Sequence, residues 1–217
     1  MSLLNAFRLE DQVAIVTGAG AGIGRAIAEL FGQAGAKVVV SDLKKETAQT
    51  VARSIQKAGG GGSRPFDMPM ETFILAHKLN VFSVFHLCQL CTPHMEASGG
   101  GAILNISSMA AENKNRNMAS YSSSKAAASH LTRNIAFDPG PKNIRVNAIA
   151  PGAVKTDALA SVLTAEIETA MLRNTPLEPL GDPKDIAYAA LFRCSAAAGW
   201  ISGQVLTVSG GGVQELG

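Results

Sequence analysis

Short apolar segments alternate with longer segments of helical periodicity over most of the chain. Five segments rich in valine, isoleucine and alanine have the length of buried strands, namely residues 13–16, 37–41, 102–107, 143–149 and 205–208. Apolar residues recur at helical spacing in residues 25–34, 46–57 and 71–95, in a segment that ends near 137, and in a last helix that begins at 182. This alternation predicts an α/β fold, with a Rossmann-type doubly wound parallel sheet in a single domain that covers residues 1–217.

The alternation is interrupted at a run of four glycines from Gly59 to Gly62. A doubly wound sheet needs a strand, a helix and another strand here, and none precedes residues 65–69. Loss of a central strand would expose the backbone of its neighbour. Two explanations are open: a segment absent from the numbering, which we favour because such a loss should unfold a marginally stable domain, or a true deletion. A Cα separation well above about 3.8 Å within residues 59–63 would indicate the first.

The composition is that of a soluble globular protein, with 47% hydrophobic and 17% charged residues in a chain of 217. The formal net charge is +2 and the basic residues are scattered, so neither nucleic acid nor a membrane surface is expected as a partner. No uninterrupted apolar run reaches the roughly 18 residues of a membrane span, and the N-terminus lacks the apolar centre of a signal peptide. We therefore expect a cytoplasmic protein.

The three cysteines, Cys88, Cys91 and Cys194, are an odd number, which suits free thiols in a reducing compartment. Cys88 and Cys91 have the spacing of a redox or metal-binding pair, but both lie in the apolar pattern of the predicted helix 71–95. No second Cys pair or His pair at ligand spacing accompanies them. The sequence therefore favours a position in the helix core for this pair, and no metal is expected.

A glycine-rich turn lies between the first predicted strand and the first predicted helix. It runs from Thr17 to Gly24 and contains Gly18, Gly22, Ile23 and Gly24. Glycines at this place let the backbone approach a pyrophosphate, which the helix N-terminus then binds. Asp42, at the end of the second predicted strand, can accept both hydroxyls of an adenosine ribose and repel the extra phosphate of NADP. The pattern favours NAD over NADP as the cofactor, and Asp42 could also be a helix N-cap.

Tyr121 and Lys125 are four residues apart in a predicted helix, so they lie on one face of it. A lysine charge favours the ionised form of a neighbouring phenol, which can then take a proton from an alcohol near neutral pH. The same spacing occurs by chance in many helices, with the tyrosine at the surface and the lysine solvated. The pair alone leaves both interpretations open.

Several motifs, by their order and spacing, resemble those of the short-chain dehydrogenase/reductase family over nearly the whole chain. They are the glycine turn, Asn80, Ser108, the pair Tyr121 and Lys125, Pro151-Gly152 with Thr156, and Ser-Gly-Gly after the last strand. Residues 108–115, 123–130 and 209–216 resemble in amino-acid sequence the bacterial NAD-dependent 7α-hydroxysteroid dehydrogenases of that family. Members of the family are usually some tens of residues longer, and they contain the strand, helix and strand that this chain lacks.

The resemblance implies that the chain interconverts a secondary alcohol and a ketone with NAD. Tyr121 would exchange the proton, Ser108 would hold the substrate oxygen, and Lys125 would lower the tyrosine pKa and bind the nicotinamide ribose. Asn80 would support a water relay to solvent. Ser108 is preferred to Ser107 because it stands 13 residues before the tyrosine, as in close relatives. The residues that would seat the nicotinamide carboxamide are Pro151, Gly152, Val154 and Thr156.

Residues from about 157 to 180 mix helical segments with prolines, which is typical of a mobile lid over a substrate site. Their apolar side chains suit the flat hydrocarbon face of a steroid, and ordinary helix packing explains them as well: Ala158, Leu159, Val162, Leu163 and Met171. The resemblance implies a homotetramer that acts on a small hydroxysteroid or another secondary alcohol. Two alternatives are a 3-oxoacyl-[acyl-carrier-protein] reductase-like enzyme, which would prefer NADPH, and an inactive dinucleotide-binding module if the deletion is real.

Overall fold

The computed structural model covers the full sequence and describes residues 3–42, 65–113, 116–173 and 175–212. Because the numbering runs without a gap from 1 to 217 and the structure covers each of these residues, the explanation by a segment absent from the numbering is wrong. The interruption at residues 59–62 therefore belongs to the sequence itself. The predicted helix at 46–57 and the Cα separations within residues 59–63 lie outside the described residues.

Strands and helices alternate as the sequence predicts, with bounds that differ by a few residues. The described strands are β1 (Val13–Thr17), β2 (Lys37–Ser41), β3 (Gly101–Ile106), β4 (Ile144–Pro151) and β5 (Val205–Val208). The described helices are α1 (Gly22–Gln33), α2 (Met70–His77), α3 (Ser83–Ala97), α4 (Ala119–Ile135), α5 (Asp157–Ala160), α6 (Ala165–Leu172) and α7 (Pro183–Cys194). A π-helical turn, Lys78–Phe82, joins α2 to α3.

The chain divides into two compact units, each described here by itself. The first comprises Met1–Leu43, Pro151–Ile201 and Thr207–Val213. The second comprises Lys44–Ala150, Ser202–Leu206 and Gln214–Gly217.

In the first unit, β1 and β2 pair in parallel, with Val13 opposite Lys37, and α1 packs against α7. The helix α7 begins at a capping box. The Asp182 side chain accepts a hydrogen bond from a backbone N–H of the first turn, and the Asp185 side chain accepts one from the Asp182 backbone N–H. The core of this unit is formed by Val16, Ile27, Phe31, Ile186, Ala187 and Ala190, all buried.

The prediction that β1 is a buried strand is wrong for one of its two faces. Val13 is 67% exposed and Ile15 is 60% exposed, and Val39, opposite Ile15 on β2, is exposed as well. Alternate residues of a strand point to opposite faces, so β1 buries Val16 on one face and leaves Val13 and Ile15 exposed on the other. On β2, Val40, which lies opposite Val16, is 59% exposed. An apolar run alone could not show that only one face is covered.

In the second unit, β3 and β4 pair in parallel, with Gly101 opposite Ile144 and Ile106 opposite Ile149. The core of this unit is the central strand β4, whose Ile144, Val146, Ala148 and Ile149 are fully buried. β5 is the next strand in the order β3-β4-β5. A nearly continuous apolar strand is expected where both faces of a parallel sheet are covered.

The described strands form two sheets, β1-β2 and β3-β4-β5, where one sheet was predicted. In this part of the chain β1 therefore has one strand neighbour, β2. The physical reason lies in the deletion, because the missing segment contains a central strand whose loss leaves the neighbouring strand without a partner. The α/β alternation and the parallel pairing of β1 with β2 and of β3 with β4 agree with the prediction.

The continuous helical segment Met70–Ala97, made of α2, the π-helical turn and α3, has 28 residues and is apolar enough to cross a membrane by length and composition. The expectation from the sequence concerned uninterrupted apolar runs, and this segment contains none of 18 residues. The criterion that the segment meets is instead the mean hydropathy over a window of residues, which tolerates Lys78 and the histidines. Composition is weak support for a membrane span, since core and interface helices of soluble proteins have it too.

Candidate active site

The glycine turn of the first unit favours glycine at three positions, two by their backbone conformation and one by lack of space. Gly18 and Gly22 have φ angles of +66° and +55°, which favour glycine. A Cβ added at Gly24 would lie 2.2 Å from the Gly18 carbonyl oxygen, so only glycine fits there. The residue before α1 is Ala21, whose methyl group cannot cap the helix, and the first-turn N–H groups are left for another acceptor. This cradle fits the pyrophosphate of a dinucleotide.

Asp42 lies beside the same turn. Its Oδ2 accepts a hydrogen bond from the Gly20 backbone N–H at 2.5 Å. The bond ties the end of β2 to the turn and uses one carboxylate oxygen. The other oxygen remains as an acceptor, as the predicted contact with ribose hydroxyls requires.

The loop that follows β4 also belongs to the first unit. Gly152 donates its N–H to the Val208 carbonyl at 2.9 Å, and a Cβ on it would lie 2.7 Å from Ser209. Val154 is buried in an isolated bridge to Gly181. Thr156 caps α5 by accepting from the Leu159 N–H, and its methyl group lies 3.3 Å from the Cβ position of Gly22. The loop after Pro151 and the glycine turn are therefore adjacent, as a shared dinucleotide site requires.

The second unit brings the other four candidates together around the start of α4. Lys125 lies on the Tyr121 face of that helix, with Nζ 5.8 Å from the centroid of the phenol ring. Lys125 Nζ donates to the Ile106 carbonyl at 2.9 Å. Ser108, just after β3, hydrogen-bonds with Tyr121. Asn80, in the π-helical turn, donates from Nδ2 to Ser124 Oγ at 3.0 Å.

The two neighbouring serines have different surroundings. Ser107 is buried, and its Oγ hydrogen-bonds to the Lys125 carbonyl at 3.1 Å and to Ser129 Oγ at 2.6 Å. These bonds fasten α4 to the end of β3. Ser108 instead faces Tyr121 and accepts from the Ala110 N–H at 3.1 Å. The geometry favours Ser108 over Ser107 as the side chain that reaches a substrate.

Burial controls the protonation of the tyrosine and the lysine. It raises the pKa of Tyr121, while the Ser108 hydrogen bond acts in the opposite direction. It lowers the pKa of Lys125 to about 8, because the ammonium group loses its hydration. The expectation that Lys125 lowers the tyrosine pKa is therefore wrong for this arrangement. Loss of solvent is the largest influence on the tyrosine pKa, and the Ser108 hydrogen bond opposes it without reversing it.

The lowered pKa of the buried Lys125 predicts that the stability of the protein depends on pH. In the unfolded chain the lysine pKa returns to its ordinary value of 10.5, so between pH 8 and 10.5 the unfolded state binds more protons and the wild-type stability rises with pH. Lys125→Met lacks this contribution. We expect its unfolding free energy relative to wild type to fall by up to about 3 kcal/mol across that window, as measured by urea unfolding.

The exposed Lys142, which pairs with Glu96, provides the control for removing a lysine, as Lys142→Met. Parallel stability curves of Lys125→Met and wild type from pH 7 to 10.5 would contradict the assignment.

The predicted lid begins with α5 and α6, where Thr164 caps α6 by accepting from the Ile167 N–H. The five apolar residues named above are all exposed or half-buried. Packing within this segment therefore does not use up their apolar surface. An apolar ligand could cover it.

Sequence reasoning did not identify Ser124, Ser129 or the Ile106 carbonyl, although each contacts a candidate residue. Small polar residues on a helix carry no signal of their own, because their partners come from distant segments. Cys88 is buried and burial raises its pKa to about 11, which fits an inert thiol in a helix core. In the described ranges no group of three or more His, Cys, Asp or Glu side chains could hold a metal ion.

Comparison with known proteins gives two family models that match the chain. The model described as short chain dehydrogenase matches residues 12–73, and the one described as Enoyl-(Acyl carrier protein) reductase matches residues 55–212. A 7alpha-hydroxysteroid dehydrogenase of Escherichia coli (strain K12) is 57% identical over 247 aligned positions, which include 96% of this chain and 97% of the relative. The alignment is longer than the chain, so the relative has residues with no counterpart here.

A second relative and a solved structure extend this similarity. The 7alpha-hydroxysteroid dehydrogenase of Clostridium sardiniense is 33% identical over 94% of this chain and 94% of its own length. The structure of a 7 alpha-hydroxysteroid dehydrogenase complexed with NADH and 7-oxo glycochenodeoxycholic acid is 54% identical, with a TM-score of 0.86 over 100% of both chains. Similarity of this extent shows that the chain has the Rossmann-type fold of that structure. The chain belongs to the short-chain dehydrogenase/reductase family.

Proposed function

We propose that this chain is an NAD-dependent oxidoreductase that interconverts the 7α-hydroxyl group of a bile acid or related steroid with the corresponding ketone. The observation that carries the proposal is the 57% identity, over nearly the full length of both proteins, with a 7alpha-hydroxysteroid dehydrogenase. The structural neighbour that was solved with NADH and a 7-oxo bile acid supports the same cofactor and substrate class.

NAD would be held by residues of the first unit. The glycine turn with Gly18, Gly22, Ile23 and Gly24 would bind the pyrophosphate, and Asp42 would bind the adenosine ribose. The loop with Pro151, Gly152, Val154 and Thr156 would bind the carboxamide. Bound NAD supplies the acceptor for the carbinol hydride. The Asp42 carboxylate, held beside the turn by Gly20, would repel the extra phosphate of NADP, so NAD is preferred.

The second unit supplies the groups that handle the proton. Ser108 would donate a hydrogen bond to the substrate oxygen, and Tyr121 Oη would give or take the proton. The raised pKa of Tyr121 favours the neutral phenol, which is the form that protonates the oxygen in ketone reduction. Alcohol oxidation needs the phenolate and should therefore speed up as the pH rises. Asn80 and Lys125 would complete the proton path. Both would lie beside the nicotinamide ribose together with Tyr121, and the Lys125 ammonium group would make the main bond to it.

The lid, residues 157 to 180, would cover the steroid. Its apolar side chains are at least partly exposed, and a flat hydrocarbon ligand would remove them from water. The five residues named above are the candidates for this contact.

We further propose that residues 1–217 act as a single domain in a cytoplasmic homotetramer. The support is the exposed apolar surface of the helical segment Met70–Ala97, which includes Phe82, Phe85 and Leu90. Surface of this kind is typical of an interface between subunits. In a tetramer the helices that carry Asn80 and Tyr121 would pack between subunits.

Initial rates on a panel of hydroxysteroids test the proposed function. We expect turnover of 7α-hydroxylated bile acids with NAD, little turnover with NADP, and an oxidation rate that rises above pH 7. Steroids with a 7β-hydroxyl serve as the matched control, because they differ only in configuration at the reacting carbon. Preference for NADPH and a thioester-bound 3-oxoacyl substrate would instead indicate the reductase alternative.

A second function is favoured by the missing segment. Since β1 has one strand neighbour in the described residues, a wall of the cofactor site is altered, and the chain could bind a dinucleotide without turnover. Titration with NAD followed by intrinsic fluorescence, combined with the same rate panel, separates the two. Binding without turnover of any secondary alcohol would support the inactive module.

A further inference from the structure

Ser124 connects two of the candidate catalytic residues. It is fully buried in α4, one residue before Lys125. Its Oγ accepts from Asn80 Nδ2 at 3.0 Å and donates to the Tyr121 carbonyl at 2.8 Å. The hydroxyl is therefore bonded both to the π-helical turn and to the turn of α4 that carries the tyrosine.

The direction of these bonds fixes the orientation of the Asn80 side chain. A serine hydroxyl has one proton, and Ser124 donates it to the Tyr121 carbonyl. It can then only accept from its other partner, so the NH₂ group of Asn80 faces Ser124. The carbonyl oxygen of the amide is thereby directed away from Ser124, so any hydrogen bond that it accepts comes from another group.

The location of Asn80 makes such a partner necessary. A π-helical turn contains an extra residue and changes the direction of its side chains, and such turns occur often at functional sites. An asparagine side chain on a helix can adopt several orientations unless a neighbour holds it. Ser124 is the neighbour that holds it here.

We propose that Ser124 is a positioning residue that fixes the Asn80 carboxamide against the turn of α4 bearing Tyr121 and Lys125. The consequence for turnover rests on the proposed function, because only a dehydrogenase uses Asn80 to pass the proton to solvent. Ser124 itself does not contact the reacting atoms. Its removal should slow the proton path and leave cofactor binding intact.

The chain contains a matched control at the other end of α4. Thr132 is also fully buried, its Oγ1 accepts from Asn105 Nδ2 at 2.9 Å, and it donates to the Ala128 carbonyl at 2.9 Å. The pattern of bonds is the same as at Ser124. Thr132 lies about three turns away from Tyr121, so it shares the structural role without the link to Asn80.

The kinetic experiment compares Ser124→Ala with Thr132→Val. We expect Ser124→Ala to lower kcat about 10-fold with KM for NAD unchanged, because orientation and not binding is lost. Added imidazole should restore part of that rate by carrying the proton, and it should have no such effect on Thr132→Val, whose kcat stays near wild type. Wild-type kcat and wild-type imidazole dependence in Ser124→Ala would overturn the proposal. If Ser124→Ala does not fold, Ser124→Cys keeps the shape of the side chain and replaces the hydroxyl by a thiol, which is a weak acceptor for Asn80 and a weak donor.

A double-mutant cycle decides the structural part without activity. Asn80→Ala, Ser124→Ala and the double variant are compared by urea unfolding. We expect a non-additive effect of about 5-fold in the unfolding equilibrium constant, because either change alone already removes the bond. Additive effects would contradict the bond and with it the proposal. If the wild-type chain turns over no hydroxysteroid, the proposed function fails, and the coupling between Asn80 and Ser124 alone decides this inference.

Discussion

Tyr121→Phe is expected to lower kcat for oxidation of a 7α-hydroxysteroid by about 10² to 10⁴-fold, the range that a general acid–base group contributes. The change removes only the hydroxyl that exchanges the proton. The ring keeps its packing at the start of α4 and its contact with Lys125, whose Nζ lies 5.8 Å from the ring centroid. The Kd for NAD should therefore change by less than about 3-fold. Stopped-flow measurement of NADH formation would detect the loss of turnover.

Tyr188→Phe is the matched control for this experiment. The chain has two tyrosines, and Tyr188 lies on α7 with 60% of its surface exposed. Loss of its hydroxyl should leave kcat and KM unchanged. If Tyr121→Phe retains more than a tenth of the wild-type kcat, the assignment of the proton exchange to Tyr121 is wrong.

The grouping of the candidate site residues could be predicted from the sequence, because each residue belongs to a short motif with its own physical meaning. The turn at Gly18 to Gly24 sits between a strand and a helix, and the spacing of Tyr121 and Lys125 places them on one helix face. Motif order then assigns each residue to a strand end or a helix start. The structure places the cofactor candidates in one unit and the proton-transfer candidates in the other.

What the sequence could not give depends on burial and on contacts between distant segments. The direction of the Tyr121 pKa shift follows from how much solvent the fold excludes, and no spacing rule contains that information. The exposure of Ile15 follows from which face of β1 is covered. Ser124 becomes visible only when Asn80 of a separate helical turn lies against it.

The missing segment was expected to unfold the domain, yet both units contain buried apolar residues around β1 and β4. The loss of the segment is visible instead as two separate sheets, β1-β2 and β3-β4-β5, in the described residues. A deletion that removes a strand, a helix and another strand together takes away whole elements, so the remaining elements can keep their local packing. This explains how the proton-transfer set can stay complete while a wall of the cofactor site is altered.

Gly24→Ala is expected to weaken NAD binding by about 10- to 100-fold. The added Cβ would lie 2.2 Å from the Gly18 oxygen and 2.7 Å from its carbonyl carbon, and backbone atoms cannot rotate away as a flexible side chain can. The turn must open, and binding of the pyrophosphate must then restore the closed form against a strain of about 1–3 kcal/mol. Isothermal titration with NAD measures this directly.

Gly32→Ala provides the matched control in the same helix, because a Cβ at Gly32 meets no atom within 4 Å. A glycine in a helix interior is less favourable than alanine by about 0.5–1 kcal/mol, so this variant should be slightly more stable than wild type and should bind NAD equally well. The two variants add one methyl group each to α1 and differ only in what that group meets. Equal affinities in Gly24→Ala and Gly32→Ala would mean that the turn does not carry the pyrophosphate. A loss confined to Gly24→Ala would locate the cofactor at the N-terminus of α1, beside a strand β1 that has one strand neighbour among the described residues.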